Sequence, residues 1–206
     1  MGKKGDILNE LLLPIRLIVP QPYIRKLPLL RTNEDERIMR VLAEYRGKAL
    51  DIGCGNNRLI KIYRSKGHNG LGVDVYNWDG PDMIVKDTTS LPFDNEEFDT
   101  ISFVASINHI PNRLLVLKEA YRLLKLEGRL LITALTPRIS LFWHKFAYWD
   151  NDQRERGMSE GEVYGFSANE LKSMVSEAGF QIISKRSFMW GLNNLYIFSK
   201  AFTHKN

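Results

Sequence analysis

The sequence predicts an α/β fold built on a mostly parallel seven-stranded sheet with one antiparallel edge strand. Three observations predict it. Residues 48–57 run as an apolar, β-type segment that ends in an acid, breaks into Gly53-Cys54-Gly55 and leads into a helical pattern. This is the strand–turn–helix opening of a nucleotide-type site at the carboxyl end of a first strand. Further along, short apolar runs alternate with amphipathic ones closed by Gly47, Gly67, Gly128 and Gly179, which is βαβ order. Finally, two strand-like runs follow one another at the end of the chain, and this places an antiparallel strand at the sheet edge.

The elements follow in order. Apolar residues at 7, 8, 11, 12, 15, 18 and 19 form a helical stripe that Pro14 kinks or shortens, and Pro20, Pro22 and Pro28 suggest an extended linker. Thr32 is an N-cap candidate followed by Glu34, Asp35 and Glu36, predicting a helix that runs to Tyr45 and stops at Gly47. Strands are expected at 49–52, 70–75, 83–85, 98–104 and 129–134. Helices are expected at 58–65 and, with Pro111 at its first position, at 111–126. Ser167 and Glu170 form a capping box for a helix to Ala178, and strands at 180–188 and 192–202 complete the sheet.

Composition narrows the setting. The 206 residues are enough for one domain with a sizeable core, divided here into an arm at 1–31 and a domain at 32–206. The single cysteine, Cys54, excludes a disulfide framework and suits a reducing cytoplasm. Of 29 bases and 24 acids, six and two lie in residues 1–31, leaving 23 and 22 elsewhere. A nearly neutral body argues against nucleic acid as a partner, which would call for a basic face on the fold. The arm has prolines and arginines through its apolar stretch and no run of the roughly 18 apolar residues a membrane span needs. It reads as a substrate lid, a helix lying peripherally on a membrane, or a partner-binding arm.

The glycine turn asks which ligand it serves. A dinucleotide fingerprint needs a third glycine where Arg58 stands, so that pattern fails. Asp51 precedes the turn, Asp74 ends the second strand and is placed to accept both ribose hydroxyls, and Asp87 follows the third strand, where a carboxylate can take an exocyclic amine. No lysine-bearing phosphate loop is present. The ligand wanted is an adenosine with a cationic tail and no phosphates.

On these residues the chain resembles the class I S-adenosylmethionine-dependent methyltransferases, in particular their type 11 group. The resemblance rests on Ala49-Leu50-Asp51-Ile52-Gly53-Cys54-Gly55, Gly72-Val73-Asp74, Asp87-Thr88-Thr89-Ser90-Leu91-Pro92-Phe93, Glu97-Phe98-Asp99-Thr100-Ile101, His109-Ile110, and 123–132. It covers 35–136 closely and 165–202 loosely, and it implies a three-layer, Rossmann-like fold with S-adenosyl-L-methionine as cofactor. By that resemblance Asp51 would orient the turn and reach the cofactor's amino group. Gly53 and Gly55 would admit the methionine portion, with Asn57, where the family often has glycine, contacting its carboxylate or capping the helix. Asp74 would hold the ribose, Val75 would pack on adenine, Asp87 would accept the adenine amine with Thr88 supplying a backbone N–H, and Ala105 and Ser106 would lie beneath the sulfonium.

Methyl transfer is an in-line attack on an activated sulfonium, so orientation supplies most of the catalysis and a base is needed only where the acceptor must lose a proton. His109, weighed against a bracing role in the loop, and His144, in the aromatic insert, are the candidates; Tyr148, Asp150 and Asp152 follow. No metal site is expected. Residues 136–166 hold seven of the 22 aromatics, and the resemblance makes them a substrate cover, with a small sealing core as the alternative. Ser106-Ile107-Asn108-His109 is not the Asn/Asp-Pro-Pro-aromatic loop of base-amino methylases. The expectation is a cytoplasmic methyltransferase, with peripheral membrane contact through the arm as a further option. Its acceptor is expected to be small or lipid-linked and methylated at oxygen or nitrogen. A catalytically silent binding module and an RNA methyltransferase are the alternatives.

Overall fold

A computed structural model describes residues 3–27, 30–136, 161, 163 and 165–201. The element order is α1 (Lys3–Leu11), α2 (Leu13–Ile18), α3 (Gln21–Ile24), α4 (Asn33–Leu42), β1 (Ala49–Ile52), α5 (Arg58–Ser65), β2 (Gly70–Asp74) and β3 (Met83–Ile84). Then come β4 (Phe98–Val104), a 3-10 turn (Ile107–His109), α6 (Arg113–Leu123), β5 (Leu124–Leu135), α7 (Ala168–Glu177), β6 (Phe180–Phe188) and β7 (Asn193–Lys200).

The seven strands form one sheet in the order β3-β2-β1-β4-β5-β7-β6. All pairings from β3 to β5 are parallel, while β7 runs antiparallel to both β5 and β6. The antiparallel edge is thus a hairpin whose second strand inserts beside β5. Alternation along the strands divides the core into two layers. Leu130 and Ile132 face a cluster with Val116, Leu117 and Ala120 of α6 and Leu171 and Val175 of α7. Leu131, between them, joins Ile38 and Val41 of α4, Leu59 of α5 and Leu13 of α2 on the opposite face. Helices cover both faces, as a parallel sheet requires.

Several boundaries depart from expectation for identifiable reasons. The prolines at 20 and 22 do not make an extended linker: Pro20 is the N-cap and Pro22 lies in the first turn of α3, where proline's missing N–H costs nothing. Pro28 lies outside the described residues. Helix α4 ends at Leu42, short of Tyr45, whose hydroxyl is drawn to Ser102 at 2.5 Å. Helix α6 starts at Arg113, not Pro111, and stops at Leu123 because Leu124 is taken into the sheet opposite Phe98. Here pairing overrides local propensity. Both expected N-caps hold: Thr32 with Asp35, and Ser167 with Glu170, form reciprocal capping boxes.

The arm packs in an orientation the stripe did not suggest. Asn9, Leu13 and Arg16 are buried, while Ile7, Leu11, Ile15 and Ile18 are 60%, 69%, 49% and 72% exposed. Arg16 donates from Nε to the Arg31 carbonyl at 2.7 Å, from Nη1 to the Asn9 carbonyl at 2.8 Å and from Nη2 to Glu36 at 3.4 Å. The Arg31 N–H in turn donates to Asn9 Oδ1 at 2.7 Å. Among the described residues, no helix is long and apolar enough to cross a membrane.

Candidate functional site

A cavity of about 550 Å³ opens at the carboxyl ends of β1, β2 and β4, the crevice where open α/β sheets bind ligands. The turn after β1 builds one wall. Gly53 and Gly55 take φ of 73° and 54°, values an L side chain rarely adopts. A Cβ on Gly53 would lie 2.5 Å from Cβ of Ser106, whereas one on Gly55 would meet nothing within 4 Å. The first glycine therefore lets two chain segments meet, and the second leaves room.

Asp74 joins the turn to the end of β2. Its Oδ2 accepts the Gly55 N–H at 2.8 Å and its Oδ1 accepts the Tyr76 N–H at 3.0 Å. The carboxyl is thereby fixed in place, with lone pairs left for a diol. Val75 presents an apolar face, and Asp87 stands in the lining with Thr88. The Thr89 hydroxyl and N–H hold Asp87 below the usual carboxylate range. Ala105 and Ser106 form the floor. Ala105 is left-handed with φ 56°, its N–H donating to Thr133 Oγ1 at 2.9 Å, and Ser106 Oγ donates to the Ile52 carbonyl at 2.7 Å. Backbone strain of this kind is characteristic of ligand-binding turns. His109 lines the same cavity from the 3-10 turn.

Two expected residues stand behind the lining. Asp51 is buried and accepts from Ser102 Oγ at 2.5 Å, and Ser102 meets the Tyr45 hydroxyl. Burial, and then the charge of Asp74, push its carboxyl up to about 7. Asn57 has the left-handed φ of 60° that glycine would supply, but its side chain neither reaches the cavity nor caps α5. Its Nδ2 donates to Asp82 Oδ2 at 2.9 Å. The side-chain cap of α5 comes instead from Asn56 Oδ1, which accepts the Arg58 N–H at 3.1 Å. Burial and the neighbouring acids raise the Cys54 thiol far above its ordinary range, so it is a packing group. His144, Tyr148, Asp150 and Asp152 lie outside the described residues.

Sequence reading missed Trp78, Asn56, Lys86 and Asn112, which also line the cavity. Trp78 packs against Tyr76, ring centroids 4.7 Å apart. Its signal was available: two aromatics in the polar turn that follows β2. Lys86 and Asn112 carry no such mark. The far end of the 136–166 insert returns to the site. Arg113 donates to the carbonyls of Asn108 at 3.0 Å and Gly161 at 2.6 Å, and the Val163 N–H donates to the Asn108 carbonyl at 3.0 Å.

The residues fit an adenosyl cofactor: a fixed acid for a ribose, an acid and a buried threonine at the base end, and an open glycine at the other. Comparisons with known proteins agree. The methyltransferase domain family matches residues 24–185. A demethylmenaquinone methyltransferase of Staphylococcus carnosus is 25% identical over 192 residues, covering 79% of this chain and 80% of that protein. The Staphylococcus aureus enzyme of the same name is 24% identical over the same shares. Among solved structures, a Pyrococcus horikoshii protein superposes with a TM-score of 0.63 at 20% identity, covering 82% of this chain and 90% of the other. A Methanosarcina mazei S-adenosylmethionine-dependent methyltransferase superposes with a TM-score of 0.59 at 20% identity, covering 81% and 98%. With a glycine turn, two acids and a strained floor around one crevice, this chain belongs to the methyltransferase domain family, on the class I S-adenosylmethionine-dependent fold.

Proposed function

We propose that the chain transfers the methyl group of S-adenosylmethionine to a small, lipid-linked acceptor that enters between the 107–112 segment and the returning insert. The bound cofactor supplies an electrophilic methyl group on a sulfonium. The protein's part is placement. Asp74 would bind the ribose hydroxyls, Asp87 would accept the adenine amine while the Thr88 N–H donates to the base, and Val75 would cover one face of it. Gly53 and Gly55 would let the backbone approach the methionine portion, with Asp51 bracing the turn from behind. Ala105 and Ser106 would hold the reacting end in line with the acceptor, and such orientation accounts for most of the rate in this chemistry. His109, in the same wall, would take a proton from the acceptor where one must leave.

The observation that carries this reading is that one cavity joins Gly55, Asp74, Asp87, Ala105, Ser106 and His109. The names of the staphylococcal relatives support an isoprenoid quinone precursor as the first acceptor to try. Titration calorimetry with S-adenosylhomocysteine tests the cofactor half. Asp74→Ala should weaken binding by about 1–3 kcal/mol through lost charged hydrogen bonds, and an unchanged affinity would remove Asp74 from the ribose role. Transfer of labelled methyl to demethylated quinones, phenols and amines tests the acceptor half. Incorporation into water-soluble amines alone would refute the lipid-linked reading.

A further inference from the structure

We propose that the outward stripe of α1 and α2 is a docking face for an anionic lipid surface. The two helices form one outward row, Ile7, Leu11, Ile15 and Ile18, at successive spacings of four, four and three residues. Their backbone ladder continues across the junction, from the Leu12 N–H to the Leu8 carbonyl and from the Arg16 N–H to the Leu12 carbonyl. An amphipathic helix on a globular protein normally buries its apolar face. Here the buried positions include Asn9 and Arg16, and four aliphatic side chains point away from the domain.

The arrangement cannot relax by rotation. Turning the stripe inward would pull Arg16 from the Asn9 and Arg31 carbonyls and from Glu36, all in buried surroundings. The polar face is thus the fixed one, and the apolar face is held outward. Next in the chain, Tyr23 and Leu27 are 63% and 46% exposed, and Lys26 lies over the Tyr23 ring at 5.8 Å. An aromatic with a lysine beside aliphatic side chains is the composition of a membrane-interface segment. Trp190, 62% exposed, sits in the β6–β7 turn whose Met189 shares a core cluster with Leu13.

Charge selects the occupant. Both acids of the arm are paired, Asp6 with Arg31 and Glu10 with Arg40. Of the six bases that residues 1–31 set against them, Arg16 and Arg31 are held in buried pairs and Arg25 pairs with Glu34, so the excess over an almost neutral body rests on the lysines at 3, 4 and 26. The excess favours an anionic surface. A second copy of the chain would bring the same positive arm against itself. The four side chains expose on the order of 500 Å², within the range of marked apolar patches and below the roughly 800 Å² each partner gives to a stable interface.

Co-sedimentation of the full chain tests this, with vesicles of equal parts phosphatidylglycerol and phosphatidylcholine and with vesicles of phosphatidylcholine alone. The wild type should pellet with the anionic vesicles, less with the neutral ones, and less as salt rises. Leu11→Glu with Ile18→Glu should lower the bound fraction at least about tenfold, because the lost term scales with apolar area, while melting temperature and S-adenosylhomocysteine binding stay unchanged. Ile7→Ser with Ile15→Ser is the second variant should the first fail to fold. A wild type that stays in the supernatant, or variants that pellet equally, would overturn the proposal. So would a wild-type dimer in light scattering that the substitutions dissociate. Failure of cofactor binding with vesicle binding intact would sink the methyl-transfer reading and leave the docking face standing.

Discussion

At the residue scale the informative group is Asp51, which reads in the sequence as a cofactor ligand and lies behind the cavity in a chain of hydroxyls from Ser102 to Tyr45. Its pairing with Ser102 favours the charged form, but burial dominates and raises the carboxyl from 3.8 to about 7. The sign of the linkage follows. The folded state holds this proton where the unfolded state has released it, so stability from Asp51 is complete below pH about 4 and declines as pH rises through about 7. Thermal melts between pH 5 and 8 should fall in the wild type, and Asp51→Asn should flatten that fall. Equal slopes in the two proteins would show that the carboxyl is charged throughout. The site itself was only partly legible. Glycines and strand-end acids announce themselves by spacing, which is why Gly53, Gly55, Asp74 and Asp87 stand where expected. Burial is set by neighbours distant in sequence, so nothing around Asp51 or Asn57 in the chain told that one would stand behind Ser102 and the other would turn to Asp82.

At the element scale, helices with strong caps were legible and the arm was not. Thr32 and Ser167 carry their own start signals as reciprocal side-chain bonds, and α5 was bounded by left-handed Asn57 and Gly67. The arm's stripe gave the period of a helix correctly but not the direction of its face. Periodicity says that apolar residues share a side, and only the partner decides which side is covered. For α1 and α2 the partner is α4, through Arg16 and Glu36, both almost fully buried. Burial acts to lower the pKa of the guanidinium, and Glu36 and Glu10 oppose that. Removing Arg16 would leave Glu36 with Arg40 and Arg31 alone and two buried carbonyls without their donor. Arg16→Ala should destabilise the protein by about 3 kcal/mol, in the range for breaking a buried pair, and should speed proteolysis in residues 6–27 before the rest of the chain. Uniform cleavage kinetics would show that the arm is not held by this contact.

At the scale of the whole molecule, sheet order decides where chemistry can occur. Strands β1 and β4 are neighbours in the sheet although α5, β2 and β3 separate them in sequence, and the crevice opens where their connections diverge to opposite faces. The glycine turn, the acids and the floor reach it from one half of the chain. The acceptor side is reached by the 107–112 segment and by the end of the insert, more than 45 residues further on, with Arg113 bridging the Asn108 and Gly161 carbonyls. The Arg113 guanidinium also stacks 5.4 Å from the Phe166 ring, so a single side chain ties the insert's return to the wall that carries His109. If the insert covers the acceptor, loosening this tie should disturb acceptor placement and spare the proposed adenosine contacts, Asp74, Asp87 and Thr88, which follow β2 and β3. Arg113→Ala should therefore lower kcat/KM for the acceptor by about tenfold or more, since small misplacements are costly in oriented reactions. Affinity for S-adenosylhomocysteine should change by less than about twofold. A parallel loss of cofactor affinity would mean that Arg113 braces the whole crevice rather than its acceptor wall, and steady-state kinetics alongside calorimetry separates the two.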